Sequence, residues 1–227
     1  MWRGKFNLVK KNLETMSLKD FYKQIEDAFF AKKFLTIRNL CNMEPDGGRD
    51  RFSTSFKIAL AHFVLAGGLA VKHDKAMMSR AQEFIAAAIG LSSIISVGDE
   101  DYENALALSI LIDFAMTRDF DGARDEIVKA QKDNNHGRIN PVWEFINTLI
   151  YFYSGDIIAA KQSAQKALKE ASGNVQALAA INWFLSLISE KSPYAQSAFE
   201  SLRLLVPPSN CLWLLFINDE DIKLMMG

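Results

Sequence analysis

The chain has 227 residues, 49% of them apolar and 23% charged, with a formal net charge of −1. So apolar a chain is not intrinsically disordered, because it carries the surface whose burial offsets the entropy of ordering. Two cysteines cannot by themselves make a disulfide framework or a four-ligand zinc site, and a near-neutral balance argues against a dedicated nucleic-acid binder.

Residues 1–15 are basic, but no apolar stretch of the ~7–15 residues that a signal peptide needs follows them. Ser17 is placed as a helix cap, so residues 1–16 read as a loose extension before a domain over 17–207. From there apolar residues recur at three- and four-residue spacing in nine segments: 21–30, 56–71, 81–89, 105–116, 123–130, 142–153, 159–168, 177–188 and 195–205. Breakers fall between them, at Pro45-Asp46-Gly47-Gly48, Gly98-Asp99, Asn134-Asn135-His136-Gly137, Gly155-Asp156, Ser192-Pro193 and Pro207-Pro208. Gly67-Gly68 lies inside a helical pattern, where it reads as a point of close helix–helix contact. The acidic run Asp99, Glu100, Asp101 and Glu103 lacks the alternating ligands and turn glycine of a calcium loop. It reads as a helix start, where carboxylates complement the macrodipole. The only fair strand candidate, 92–97, is short and serine-rich, so the expected fold class is all-α. No run reaches the ~18 apolar residues of a membrane span, and membrane insertion is not expected.

Charge is divided along the chain. Residues 1–75 carry an excess of basic side chains and residues 76–227 an excess of acidic ones. Such a split marks either head-to-tail association or no more than the solvated outer faces of helices.

The helices also repeat. Ala81, Ala123, Ala160 and Ala198 each open a helix after a short turn. Ile85, Ile127, Ala164 and Leu202 follow four residues on, and Ala88, Ala130, Ala167 and Leu205 seven residues on. Two small residues seven apart with an apolar one between them mark a helix packed closely along one seam. Recurrence at this interval predicts a solenoid of helix hairpins, since one hairpin cannot bury its own face.

At Ser154-Gly155-Asp156-Ile157-Ile158-Ala159-Ala160, continuing to Ala167, the chain resembles the turn and second helix of a tetratricopeptide repeat (TPR). Arg118-Asp119-Phe120-Asp121-Gly122-Ala123, continuing to Ala130, is similar, with Arg118 in place of the turn glycine. Degraded copies lie at Ser192-Pro193-Tyr194-Ala195 and at Ala31-Lys32-Lys33-Phe34. Tyr151 matches the aromatic of the first helix, and Thr148 and Ser186 its small position. The tryptophan and leucine-glycine of the family's first helix are missing, and the period exceeds its ~34 residues.

The resemblance implies a right-handed superhelix of stacked antiparallel helix hairpins, a TPR-like α-solenoid whose first helices line a concave groove for an extended or helical peptide. Groove-facing positions would be Leu108, Ile112, Met116, Phe145, Leu149, Phe152, Tyr153, Trp183 and Leu187. These are apolar or aromatic. The cationic clamp with which TPR domains hold chaperone tails is absent from them, so such tails are not expected as ligands. Either the groove takes an apolar segment of a partner, with a homodimer as one form of this, or the chain fills it itself. Residues 208–227, a C-terminal capping segment containing Trp213, Leu214, Leu215 and Phe216, would be the filler.

Catalytic and metal readings find little. His62, His73 and His136 have no carboxylate or cysteine at metal-ligand spacing. His62 lies on an apolar helix and reads as a core residue, and Cys41 and Cys211 as buried packing. The basic pairs Lys10-Lys11 and Lys32-Lys33 are too few for a nucleic-acid surface. The expectation is a non-enzymatic, cytoplasmic interaction module, an adaptor or chaperone, with no cofactor, no metal and a protein or peptide partner. The alternatives are a structural subunit of a larger assembly or a regulatory solenoid that senses a ligand or peptide.

Overall fold

A computed structural model describes residues 16–31, 33–93, 99–133, 140–171 and 174–189. Among these the chain forms nine α-helices and no strand. They are α1 (Leu18–Phe30), α2 (Phe34–Cys41), α3 (Phe52–Leu65), α4 (Lys75–Ser92), α5 (Asp99–Thr117), α6 (Phe120–Asp133), α7 (Pro141–Tyr153), α8 (Ile157–Glu170) and α9 (Val175–Ile188). The expected helix over 195–205 and most of the 92–97 segment lie outside the described residues.

Local chemistry sets the helix starts. Ser17 Oγ accepts from the Asp20 amide at 3.1 Å, and Asp74 Oδ1 accepts from the amides of Ala76 and Met77. Asn140, followed by Pro141 in the first turn, caps Val142, and Asn174 caps Ala177. Each supplies a side-chain acceptor to amides that have no carbonyl partner inside the helix. The acidic run is the first turn of α5, as expected.

One helix ends early. The apolar pattern over 56–71 runs past Gly67-Gly68, yet α3 stops at Leu65. Both glycines take the left-handed region, with φ of 102° and 54°. A Cβ on Gly68 would meet only the Phe63 ring at 3.7 Å, an ordinary contact. These glycines therefore turn the chain rather than admit a neighbouring helix.

The chain divides into two compact units. In the first, α1 packs on α2 and α3, α2 on α3, and α3 on α4, around Phe21, Ile25, Ile37, Phe56 and Phe84. In the second, α5 packs on α6 and α7, α6 on α7, α7 on α8, and α9 on α8 and α7. Within each unit, sequence neighbours are spatial neighbours, and α1 also touches α3, α5 touches α7, and α7 touches α9.

The alanine seams are buried. Ala81, Ile85 and Ala88 lie in the first unit's core, and Ala123, Ile127, Ala160, Ala164 and Ala167 in the second's. Ala130 is half-buried. Ala198, Leu202 and Leu205 lie outside the described residues.

Two turns of the second unit share one geometry. Arg118 and Gly155 both take positive φ, 57° and 89°. An aspartate follows each and caps the next helix, Asp119 to Gly122 at 3.0 Å and Asp156 to Ala159 at 2.9 Å. The positions paired by sequence thus have the same backbone conformation, although one of them carries a large side chain.

Candidate interaction surface

The first helix of each hairpin in the second unit presents its expected face as a graded series. On α5, Leu108 and Ile112 are fully buried, whereas Met116, one turn further on, is 40% exposed. On α7, Phe145 and Leu149 are buried, Phe152 is half-buried and Tyr153 is 45% exposed. On α9, Trp183 is buried; the side chain of Leu187 lies outside the described residues. Five of the nine residues expected to line an open groove therefore lie in the unit's own core. Phe145 and Phe152 both meet the Phe184 ring edge-on, at 6.4 and 5.3 Å, which shows how α9 closes over α7.

What stays reachable of the expected face on α5 and α7 is the last turn, at the hairpin tips. Across the α7–α8 turn from Tyr153 lie Ile157 and Ile158, the latter 75% exposed. The sequence held a signal for Ile158, since an isoleucine fills a variable position of the repeat pattern where polar residues would serve equally well. Arg118 stands at the neighbouring tip. Its guanidinium lies over the Phe114 ring and donates to the carbonyls of Leu69 and Ala70, at 2.9 Å in the first case. Arg124 lies over the rings of both Phe120 and Tyr151, at 5.5 and 5.4 Å, and those rings touch each other. Burial pushes the Tyr153 phenol upward, and the Arg118 charge opposes the shift. The exposed apolar residues at these ends are Met116 on α5, Tyr153 on α7, and Ile157 and Ile158 at the start of α8.

Polar groups elsewhere have structural duties. Glu144, on α7 and 7% exposed, accepts the Ser163 hydroxyl at 3.0 Å and the Lys166 ammonium, both from α8. That bond holds Lys166 above its ordinary pKa. A buried carboxylate satisfied in this way pins one helix to the next and leaves Ser163 engaged rather than free to attack a substrate. Close by, burial first and the Glu144 charge second push the Glu170 carboxyl upward. Its Oε2 is buried without a hydrogen-bond partner.

A cleft of about 410 Å³ lies between α5 and α6, lined in part by Tyr102, Ser109, Asp113, Glu126, Lys129 and Asp133. Burial, then the charge of Asp113, pushes the Glu126 carboxyl upward.

His62 sits in the first unit's core, as expected for a packed histidine. Its Nδ1 donates to the Ile58 carbonyl at 2.9 Å and its ring lies 5.5 Å from that of Phe84. Burial lowers its pKa. The Cys41 thiol is half-buried, and burial pushes it up to about 12; so protonated a thiol is a poor nucleophile at neutral pH. Among the described residues no three His, Cys, Asp or Glu side chains group as a metal site would require, and no helix is long and apolar enough to cross a membrane. His136 and Cys211 lie outside the described residues.

No protein-family model, curated protein or solved structure matches the chain.

Proposed function

We propose that the chain is a non-catalytic protein–protein interaction module of the tetratricopeptide type, a right-handed stack of antiparallel helix hairpins. It would serve in the cytoplasm as an adaptor or chaperone for an apolar segment of a partner protein. The observation that carries this reading is the pair of matched turns, Arg118-Asp119 and Gly155-Asp156, each left-handed, aspartate-capped and followed by a buried seam alanine. Repetition of that geometry is what a hairpin solenoid requires, and such arrays act through their surfaces. With Leu108, Ile112, Phe145, Leu149 and Trp183 in the core, the partner would dock on the tip edge, at Met116, Phe152 and Tyr153.

Affinity capture from the native cell, run with wild type and with Met116→Glu/Tyr153→Glu, tests this. Both substituted side chains are exposed, so the fold should survive. A client retained by wild type at low stoichiometry and lost by the variant is the expected result. An unchanged set of captured proteins, with the variant shown folded by its melting curve, would refute the docking edge. Val128 on α6 and Ile158 on α8 are exposed apolar residues on the second helices, and they favour a second reading, a subunit packed permanently into a larger assembly. Recovery in fixed stoichiometry, insensitive to Met116 and Tyr153 but abolished by Val128→Glu, would select it.

A further inference from the structure

The cleft between α5 and α6 plays no part in the docking surface at the hairpin tips. One wall is a single face of α5, at positions 102, 106, 109, 110 and 113, which recur at helical spacing over three turns. The other wall is one face of α6, at positions 126, 129, 130 and 133. At about 410 Å³ the space has the size of a small-molecule site.

Its chemistry is ordered along its length. α5 and α6 are joined by Arg118 and Asp119 alone and pack on each other, so the start of α5 lies opposite the end of α6. Near the turn stand Asp113 and Glu126, close enough for the charge of the first to act on the carboxyl of the second. A cation between two such carboxylates relieves their repulsion. At the far end are Asp133 and the ring of Tyr102, which can face an ammonium group. Between the ends the α5 wall is apolar, formed by Leu106, half-buried, and Ile110, buried.

The sign of the charge is consistent over the whole hairpin. Residues 99–133 carry ten carboxylates against four Lys and Arg, a field that gathers cations. Lys129 stands between Glu126 and Asp133 on the α6 wall, so it opposes a positive charge at the middle of the cleft and not at its ends. Glu126 and Asp133 are two helical turns apart, about 10 Å along the axis at 1.5 Å per residue. An extended chain of single bonds of about 1.5 Å advances about 1.25 Å per bond, so about eight or nine bonds bridge the two ends.

We propose that this cleft binds a linear organic diamine. One ammonium group sits between Asp113 and Glu126, the other at Asp133 beside Tyr102, and the methylene stem lies on Leu106 and Ile110. The site rests on the α5–α6 hairpin alone and does not depend on the partner reading.

Calorimetric titration of the full chain with 1,8-diaminooctane, at fixed ionic strength, tests this, with 1,3-diaminopropane as the diamine too short to span the cleft. Glu126→Gln/Asp133→Asn removes one carboxylate from each end. Asp121→Asn/Asp125→Asn removes two from the part of α6 that does not line the cleft. All four side chains are exposed, so the fold should survive, as melting curves coincident with wild type would show. The expected result is saturable one-to-one binding of the long diamine, at least about tenfold tighter than that of the short one. The first variant should weaken it at least about tenfold and the second should leave it unchanged. Lys129→Gln, which keeps both ends intact, should tighten it. No saturable binding, equal affinity for the two diamines, the same loss in both double variants, or no tightening in Lys129→Gln would overturn the inference.

Discussion

The matched turns give the sharpest test, because one of them isolates a backbone effect. Gly155 has φ +89°, and a Cβ built there meets nothing within 4 Å. Gly155→Ala therefore adds no clash and removes no contact; it only forces an L-residue into the left-handed region. That costs about 1–2 kcal/mol. For a chain of this size it lowers the melting temperature by roughly 2–8 °C. At the partner turn the chain already bears this cost, since Arg118 holds φ +57°. Arg118→Ala keeps the strained backbone and loses the guanidinium's bonds to the carbonyls of Leu69 and Ala70. Arg118→Gly loses the same bonds but relieves the strain. The glycine variant should thus be more stable than the alanine variant by about 1 kcal/mol, the reverse of their order inside a helix. Urea unfolding of the three variants, compared by midpoint at constant slope, measures both differences. If Gly155→Ala unfolds with wild type, or Arg118→Ala is the more stable of its pair, the two turns do not share the left-handed geometry and the argument for a structural repeat loses its base.

Burial, titration and the core supply the other expectations. Phe145, buried and edge-on to Phe184, should behave as a core residue rather than a groove residue, so Phe145→Ala should cost about 3–5 kcal/mol in unfolding free energy; a variant with unchanged stability would return it to the surface. Glu170 has its pKa raised above 4.5 by burial and by Glu144, so the unfolded chain releases that proton first and stability falls as pH rises above about 4.5. Glu170→Gln should therefore be more stable than wild type at pH 7 and indistinguishable from it below pH 4, which paired melts at the two pH values would check. For His62 the sign is opposite: its pKa is lowered from 6.5, the unfolded chain takes up the proton first, and stability is lost as pH falls through about 6.5. His62→Phe should flatten that part of the stability–pH profile, and an unaltered slope would assign it to another group.

Which parts of this were legible in the sequence follows from how local their causes are. A helix cap needs only one side chain and an amide or two, so Ser17 marks its helix start without reference to the rest of the fold, whereas apolar spacing starts the helix at 81 and passes over Asp74, which caps α4 at Lys75. Arg118 was legible only by comparison, because nothing intrinsic to arginine favours φ +57°; its place opposite Gly155 in the repeat pattern did. Periodicity failed at Gly67-Gly68, where apolar residues continue on helical spacing after the backbone has already turned. It also could not say which apolar residues of a helix face stay exposed. Leu108, Ile112 and Met116 lie four residues apart on one face of α5 and are equivalent by pattern, yet the first two are sealed and the third is open.

The difference lies in where the neighbouring helices stop. A residue one turn from the end of α5 or α7 has no helix above it, so the hairpin tips expose what the hairpin middles bury. A continuous groove, as the pattern implied, would need Leu108 and Phe145 to face solvent as Met116 and Tyr153 do. The exposed large apolar side chains of α5 and α7 are instead those of their last turns, Met116 and Tyr153.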